Sequence, residues 1–273
     1  MLLSFLYRTR PGSVVLHVLT RPWLTEAAGK LMDSRFSRAL IGPFIAAYRI
    51  DTRECAANSW PSFNAFFTRK LRKGARWVDH DPMHLAAPCD GRLTIYPLDV
   101  LSSFTVKGIR YTLSTLLRDR SLAARYKGGT CFVFRLTPAD YHRCHYPDDG
   151  RQSSVRHISG IYHTVQPEAL TCRPVFRENA RDYALLRTDN FGDILYMEVG
   201  AMLVGRICQV HGKGRFARGE EKSHFSYGGS TVILVVKKDQ VRLRSDLLRA
   251  MAEEKEVFVR MGEPVAIKAD LRA

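Results

Sequence analysis

The stretch SHFSYGGSTVILVV, residues 223–236, sets two glycines before a serine, a threonine and a run of five aliphatic residues. Gly228 and Gly229 reach positive φ without steric cost, and the β-branched run after them favours a buried strand. Two readings are open. In one, the glycines are a turn feeding a strand over 231–236. In the other, Ser230 attacks the carbonyl carbon of Gly229, which no side chain shields. A strained turn there, costing ~1–3 kcal/mol, would be relieved by the attack. The same kind of short strand recurs at 131–136, 194–199, 202–210, 257–261 and 265–269, rich in Val, Ile, Leu and Phe. One helix is expected over 113–126, with Leu113, Leu116, Leu117 and Ala123 on one side. Strands and helices do not alternate, which argues against a doubly wound parallel sheet. The expectation is an α+β protein: N-terminal amphipathic helices and a mainly antiparallel β core that carries the active site.

The N-terminal helices come from spacing. Trp23, Leu24, Ala27, Ala28, Leu31 and Met32 recur at helical intervals, as do Phe36, Leu40, Ile41, Phe44, Ile45 and Tyr48. Residues 1–80 hold 13 Lys and Arg against 5 Asp and Glu, within a chain of net charge +15. So basic a protein meets a polyanion: nucleic acid, an anionic membrane face or an acidic substrate. Apolar helix faces beside basic ones suit a membrane surface, where each nearby Lys or Arg contributes ~1 kcal/mol. The apolar stretches 12–19 and 39–48 fall short of the ~20 residues needed to span a bilayer. In MLLSFLYRTR the arginines follow the apolar residues, unlike a secretory signal. Six cysteines, at 55, 89, 131, 144, 172 and 208, form no C-x-x-C pair. That spacing disfavours a zinc ribbon or disulfide framework and suits reduced thiols.

Chemistry concentrates in RLTPADYHRCHYPDDG, residues 135–150. His142 and His145 stand three apart between Pro138 and Pro147, so a loop or short turn is expected. The two histidines read either as surface residues or as catalytic groups; two further ligands for a zinc ion are not found at workable spacing. In APCDGRL, Asp90 either makes a simple Asp-Gly turn or orients an imidazole. Ser230, a histidine and Asp90 would compose a charge relay. Val232 stands where G-x-S-x-G requires its last glycine, which counts against a lipase or esterase. HGKGRFARG, residues 211–219, fits no phosphate-binding glycine motif.

In order along the chain, these pieces resemble the phosphatidylserine decarboxylase proenzymes. The segments that carry the resemblance are SWPSFNAFFTRKLRKGAR (59–76), AAPCDGRL, YTLSTLLRDRSLAARYKGG, RLTPADYHRCHYPDDG, VGAMLVGRI and GEEKSHFSYGGSTV. The likeness runs from about residue 20 to the end. Gly-Gly-Ser-Thr replaces the Leu-Gly-Ser-Thr of many bacterial members and keeps the Gly-Ser bond. The resemblance implies self-cleavage between Gly229 and Ser230. Asp90 orients His145, which takes the Ser230 proton, help worth ~10²–10⁴-fold. A β chain of residues 1–229 and an α chain of 230–273 result and remain associated. Ser230 becomes a pyruvoyl group, the only cofactor, without PLP or metal. Its carbonyl forms a Schiff base with phosphatidylserine, acting as an electron sink while CO2 leaves. His142 protonates the resulting carbanion, phosphatidylethanolamine is released, and Arg143 meets the lipid phosphate.

The implied organisation is a membrane-associating helical region over 1–55 and a catalytic domain over 56–273. The enzyme would sit peripherally on the cytoplasmic face of a membrane, the cell membrane in a bacterium. A homodimer is compatible with this reading, and nucleic acid is not expected as a partner. Two alternatives remain: a pyruvoyl-dependent decarboxylase of another amino-acid headgroup, or a basic nucleic-acid-binding protein without catalysis. The second leaves the ordered motifs unexplained.

Overall fold

A computed structural model describes residues 2–202, 206–228 and 230–269. The protein is α+β, with N-terminal helices and mainly antiparallel sheets. Its centre is a nine-stranded sheet. The spatial order is Gly214–Phe216, Gly150–Gln152, Arg181–Thr188, Gly192–Val199, Ser230–Val236, Thr130–Leu136, Gly91–Pro97 and Val257–Val259, with Arg156–Ile158 also paired to Arg181–Thr188. Every pairing in it is antiparallel.

The central strands are apolar at nearly every position because both faces of the sheet are covered. Alternate residues enter different cores. Val133, Leu195, Met197, Val199, Ile233 and Val235 pack on one face with Leu6 and Leu16 of the N-terminal helices and with Leu113, Leu116 and Phe176. Phe132, Phe134, Tyr196, Val232, Leu234 and Val236 pack on the other with Leu85, Val265 and Leu247. A third, aromatic cluster joins Ile41, Phe63, Phe66 and Phe67, with Phe44, Trp60 and Tyr227 against it.

Before the first sheet, Leu2–Arg8, Arg10–Leu19, Pro22–Asp33 and Ile41–Tyr48 are helical. Arg35–Leu40 is a 3₁₀ turn between the last two. The Tyr7 hydroxyl lies 3.1 Å from His163 Nδ1, so the first helix is tied to the core by a polar contact as well as by Leu6. No helix among the described residues is long and apolar enough to cross a membrane.

Three segments differ from the sequence-based expectation. The helix expected over 113–126 is two helices, Leu113–Leu117 and Arg120–Ala124. Arg118 takes a left-handed conformation at φ 51°, and the Asp119 carboxylate accepts from Leu122 N at 2.9 Å, starting a new helix. Of the strand expected over 202–210, Ile207–Gln209 forms, and 203–205 lie outside the described residues. The loop over 135–150 contains a strand, Arg143–His145, because Glu221–Phe225 supplies it with a partner from far along the chain.

Candidate active site

Ser230 opens the strand Ser230–Val236, opposite Leu136 on one side, while Thr231 faces Val199 on the other. Its side chain is wholly buried. Gly228, two residues earlier, has φ +123°, in the region that favours glycine. Gly229 lies outside the described residues, and so does the geometry of the Gly229–Ser230 bond.

The Ser230 hydroxyl lies 3.4 Å from His142 Nδ1. The other ring nitrogen, Nε2, is 2.9 Å from the Thr137 carbonyl, which can only accept. The proton therefore sits on Nε2, and the Nδ1 lone pair faces the serine. Phe67 stacks on the imidazole with centroids 4.1 Å apart. Burial, aided by the Arg69 charge, pushes the His142 pKa down to about 3, so the ring is neutral across the physiological range.

His145 is three residues away and differently held. Its Nδ1–H donates to the Gly219 carbonyl at 2.9 Å, and its ring lies 5.9 Å from that of Tyr141. Its Nε2 is buried without a hydrogen-bond partner among the described residues. Burial lowers its pKa, opposed by the Gly219 hydrogen bond and the charges of Glu221 and Asp90. The His145 backbone N–H donates to Pro88 O at 2.7 Å, which brings the Asp90 loop alongside.

The Asp90 carboxylate is buried, and Arg76 donates to it from Nε at 3.0 Å and from Nη2 at 2.6 Å. Met261 N donates to the same carboxylate at 2.9 Å. Asp90 thus acts on His145 through its field, without a hydrogen bond. Asp90, His145 and Ser230 are not strung into a hydrogen-bonded relay in this structure; the histidine in contact with Ser230 is His142.

Arg143 turns its guanidinium away to structural partners. It donates to Thr68 O at 2.9 and 2.6 Å and pairs with Glu221. Burial opposes charge on Glu221, yet His224 and Arg143 hold its carboxyl down at about 2.

Arg69 was not singled out by its sequence context. It is 5% exposed and donates from Nη2 to Ala139 O at 3.1 Å and Asp140 O at 3.3 Å, in the loop that leads to His142. The Cys55 thiol lies beside the guanidinium. Nη1 is buried with no hydrogen-bond partner among the described residues. A usable signal was present: this arginine follows the aromatic run FNAFFT, whose rings bury it. Leaving such a donor unpaired costs ~1–3 kcal/mol, more for a charged group. That pattern suits a site completed by an anionic ligand.

Beside Ser230 lies a cavity of about 200 Å³. Leu136, Tyr227 and Gly228 line its inner side, and Leu3, Phe44 and Tyr48 of the N-terminal helices line the other. A buried serine, a neutral histidine in contact with it and a cavity next to the serine's strand make up the site, with Arg69 held at the loop that leads to His142.

The sequence model of the phosphatidylserine decarboxylase family matches residues 63–267. The chain is 41% identical over 277 residues to a protein of Ruminiclostridium cellulolyticum named phosphatidylserine decarboxylase proenzyme, a match covering 99% of this chain and 92% of that one. Proteins of the same name from Clostridium novyi and Fusobacterium nucleatum are each 38% identical, covering 97% and 96% of this chain and 92% and 89% of their own. The family match and the relatives define a class of enzyme, a carboxy-lyase. The chain belongs to the phosphatidylserine decarboxylase family.

Proposed function

We propose that the chain cleaves itself between Gly229 and Ser230, converts Ser230 to a pyruvoyl group, and then decarboxylates phosphatidylserine to phosphatidylethanolamine and CO2. The observation that carries this reading is the buried Ser230 hydroxyl, 3.4 Å from a neutral imidazole nitrogen whose tautomer is fixed by Thr137. The Ser230 oxygen adds to the Gly229 carbonyl, and the amide nitrogen takes a proton as its bond to carbon breaks. The ester so formed eliminates across the serine Cα–Cβ bond, giving the Gly229 carboxylate. Water then displaces ammonia from the new α-chain terminus.

His145, with Asp90 beside it, is our first assignment for the base that takes the serine proton. Its Nε2 lone pair has no partner among the described residues and its Nδ1 proton is fixed. A second reading gives this step to His142, on the strength of its direct contact with Ser230. In either reading His142 stays beside the position of the pyruvoyl carbonyl, and its Nδ1, which bears a lone pair in the resting ring, can hand on a proton there once it has taken one up. The group supplies the electron sink for loss of CO2. Arg69, in preference to Arg143, holds an anionic part of the substrate through Nη1, since the Arg143 donors are engaged by Glu221 and Thr68.

Residues 1–55 form the membrane-associating region and 56–273 the catalytic domain, whose two chains stay together. Leu2, Val14, Val18, Trp23, Leu31 and Phe36 are exposed apolar side chains within the first 36 residues. They would enter the headgroup region of an anionic, cytoplasm-facing leaflet while nearby arginines meet lipid phosphates. Leu3, Phe44 and Tyr48 continue from that surface into the cavity beside Ser230, so the lipid headgroup can reach the site while its chains stay in the membrane.

Intact-mass analysis of the purified protein tests the proposal. Two chains with a blocked α-chain start at residue 230, and CO2 release from phosphatidylserine, are expected. Decarboxylase activity in a single uncleaved chain would refute the mechanism.

A further inference from the structure

At the end of the sheet away from Ser230, three arginines stand abreast on neighbouring strands. Arg215 pairs in register with Arg151, and Arg151 with Arg187. Beyond them the row ends at Asp193. Like charges directly opposite in a sheet are destabilising, so such a row needs compensation. Its outer members find little to share. Arg215 has Asp189 at 3.0 Å, while Asp193 is engaged by Arg125 and by Lys237 at 3.0 Å. Arg151 and Arg187 have no ion pair or side-chain hydrogen bond among the described residues. They also line a cleft of about 900 Å³, together with Arg125, Arg156 and Lys213. Among the described residues, the only carboxylate in that lining is Asp119, 3.6 Å from Arg156.

We propose that this cleft is a second anion site, taking a phosphate-bearing ligand with at least two negative charges. Guanidinium forks match phosphate oxygens in pairs, and two side by side can grip one phosphate or bridge two. A ligand there would replace the missing carboxylates of the row. The site is separate from that at Ser230. Thr231 faces Val199, and Arg187 faces Asp193, six residues further along the same strand. At ~3.3 Å per residue this is about 20 Å. The phosphate could belong to an anionic lipid headgroup or to a free phosphate compound. Both present the same chemistry to the cleft.

The test uses the matured full-length protein, with pyrophosphate as probe at constant ionic strength. Wild type should bind it saturably by titration calorimetry, with a rise in melting temperature. Arg151→Gln/Arg187→Gln should bind at least ~10-fold more weakly, the loss of about one charge-assisted contact (1.4 kcal/mol is tenfold), and keep its decarboxylase activity. Without ligand, Arg151→Gln should melt ~1–2 °C higher, because a repulsion is removed. A purely structural arginine would give a lower melting temperature. Vesicles of phosphatidylglycerol and phosphatidylcholine identify the source. If pyrophosphate competes with phosphatidylglycerol for wild type but not for the double variant, the ligand is a headgroup; if it binds without competing, the ligand is a free phosphate compound. Unsaturable pyrophosphate binding, equal binding by the double variant, or a lowered melting point in unliganded Arg151→Gln would each overturn the proposal.

Discussion

The surroundings of Ser230 and the N-terminal helices invert each other. Around Ser230, polar groups are hidden: Ser230 and His142 are 0% exposed and Arg69 5%. Along the first 48 residues, apolar groups are in the open: Phe36 is 89% exposed and Val14 70%. Aromatic residues make the contrast within a short span, since Phe66 and Phe67 are fully buried and Phe36 is not. A sequence is expected to place polar groups outside and apolar ones inside, and departures carry information. In the first region, removal from water keeps the histidines neutral and leaves Arg69 Nη1 without a partner among the described residues. In the second, apolar side chains stand exposed, which on the proposed function serves a non-aqueous medium. On the proposed function the lipid substrate links the two departures, its headgroup entering the first environment and its chains lying by the second.

Breaking the buried polar region should have the largest effect. Ser230→Ala should abolish self-cleavage and activity together; two chains on a denaturing gel of this variant would remove Ser230 from the mechanism. His145→Ala should block cleavage, whereas His142→Ala should still cleave but release CO2 slowly once matured. The opposite pattern would favour direct proton transfer from Ser230 to His142. Arg69→Leu should retain cleavage and lose ~10²–10³ in kcat/KM, the scale of a buried charge-assisted contact to substrate. An unchanged kcat/KM would mean that Nη1 meets no substrate anion.

Acid should act next, through the same burial. His142 is lowered to about 3 and His163 to about 4, both chiefly by burial. Below the unfolded value near 6.5 the unfolded chain binds protons that the folded one refuses, so stability falls as pH falls. Between pH 7 and 5 each of these two histidines should remove about 2 kcal/mol. Glu221, held at about 2, adds its own loss just below that window, as pH falls from the unfolded value near 4.5 toward 2. Denaturant melts at pH 7 and 5 measure the loss, and equal midpoints would contradict the burial of the two rings.

The exposed region should respond least in stability. Replacing Val14, Trp23 and Phe36 together by Ser should change folding stability by about ±0.5 kcal/mol per site at most. The same change should weaken binding to anionic vesicles ~10-fold or more, with high salt adding to the loss. Unaltered co-sedimentation would place the membrane contact elsewhere.

Much of this was legible in the chain. The β-branched run after Ser230 gave its strand, because apolar runs of that length must be buried and have few ways to be so. Helical spacing between Trp23 and Tyr48 gave amphipathic helices, and the Gly-Ser step with two histidines and Asp90 gave the candidate chemical groups. Local signals misled at Arg118, where a left-handed residue and an Asp119 cap break an apparently continuous apolar face. Which groups meet was not written locally. Ser230 touches His142 across 88 positions of sequence, and Asp90 lies against Arg76 rather than on the imidazole it was expected to orient. Arg143 and Arg69 look alike as residues of basic, aromatic-rich segments; only packing satisfies one and leaves a donor of the other without a partner among the described residues. The arginine row exists only once strand register sets Arg215, Arg151 and Arg187 side by side. Periodicity and residue chemistry act over a few positions, so the sequence alone determined the elements and the reactive groups. Register, burial and pairing are properties of contacts between distant segments, so the tertiary structure alone decided which nitrogen faces the serine and which charge remains unpaired.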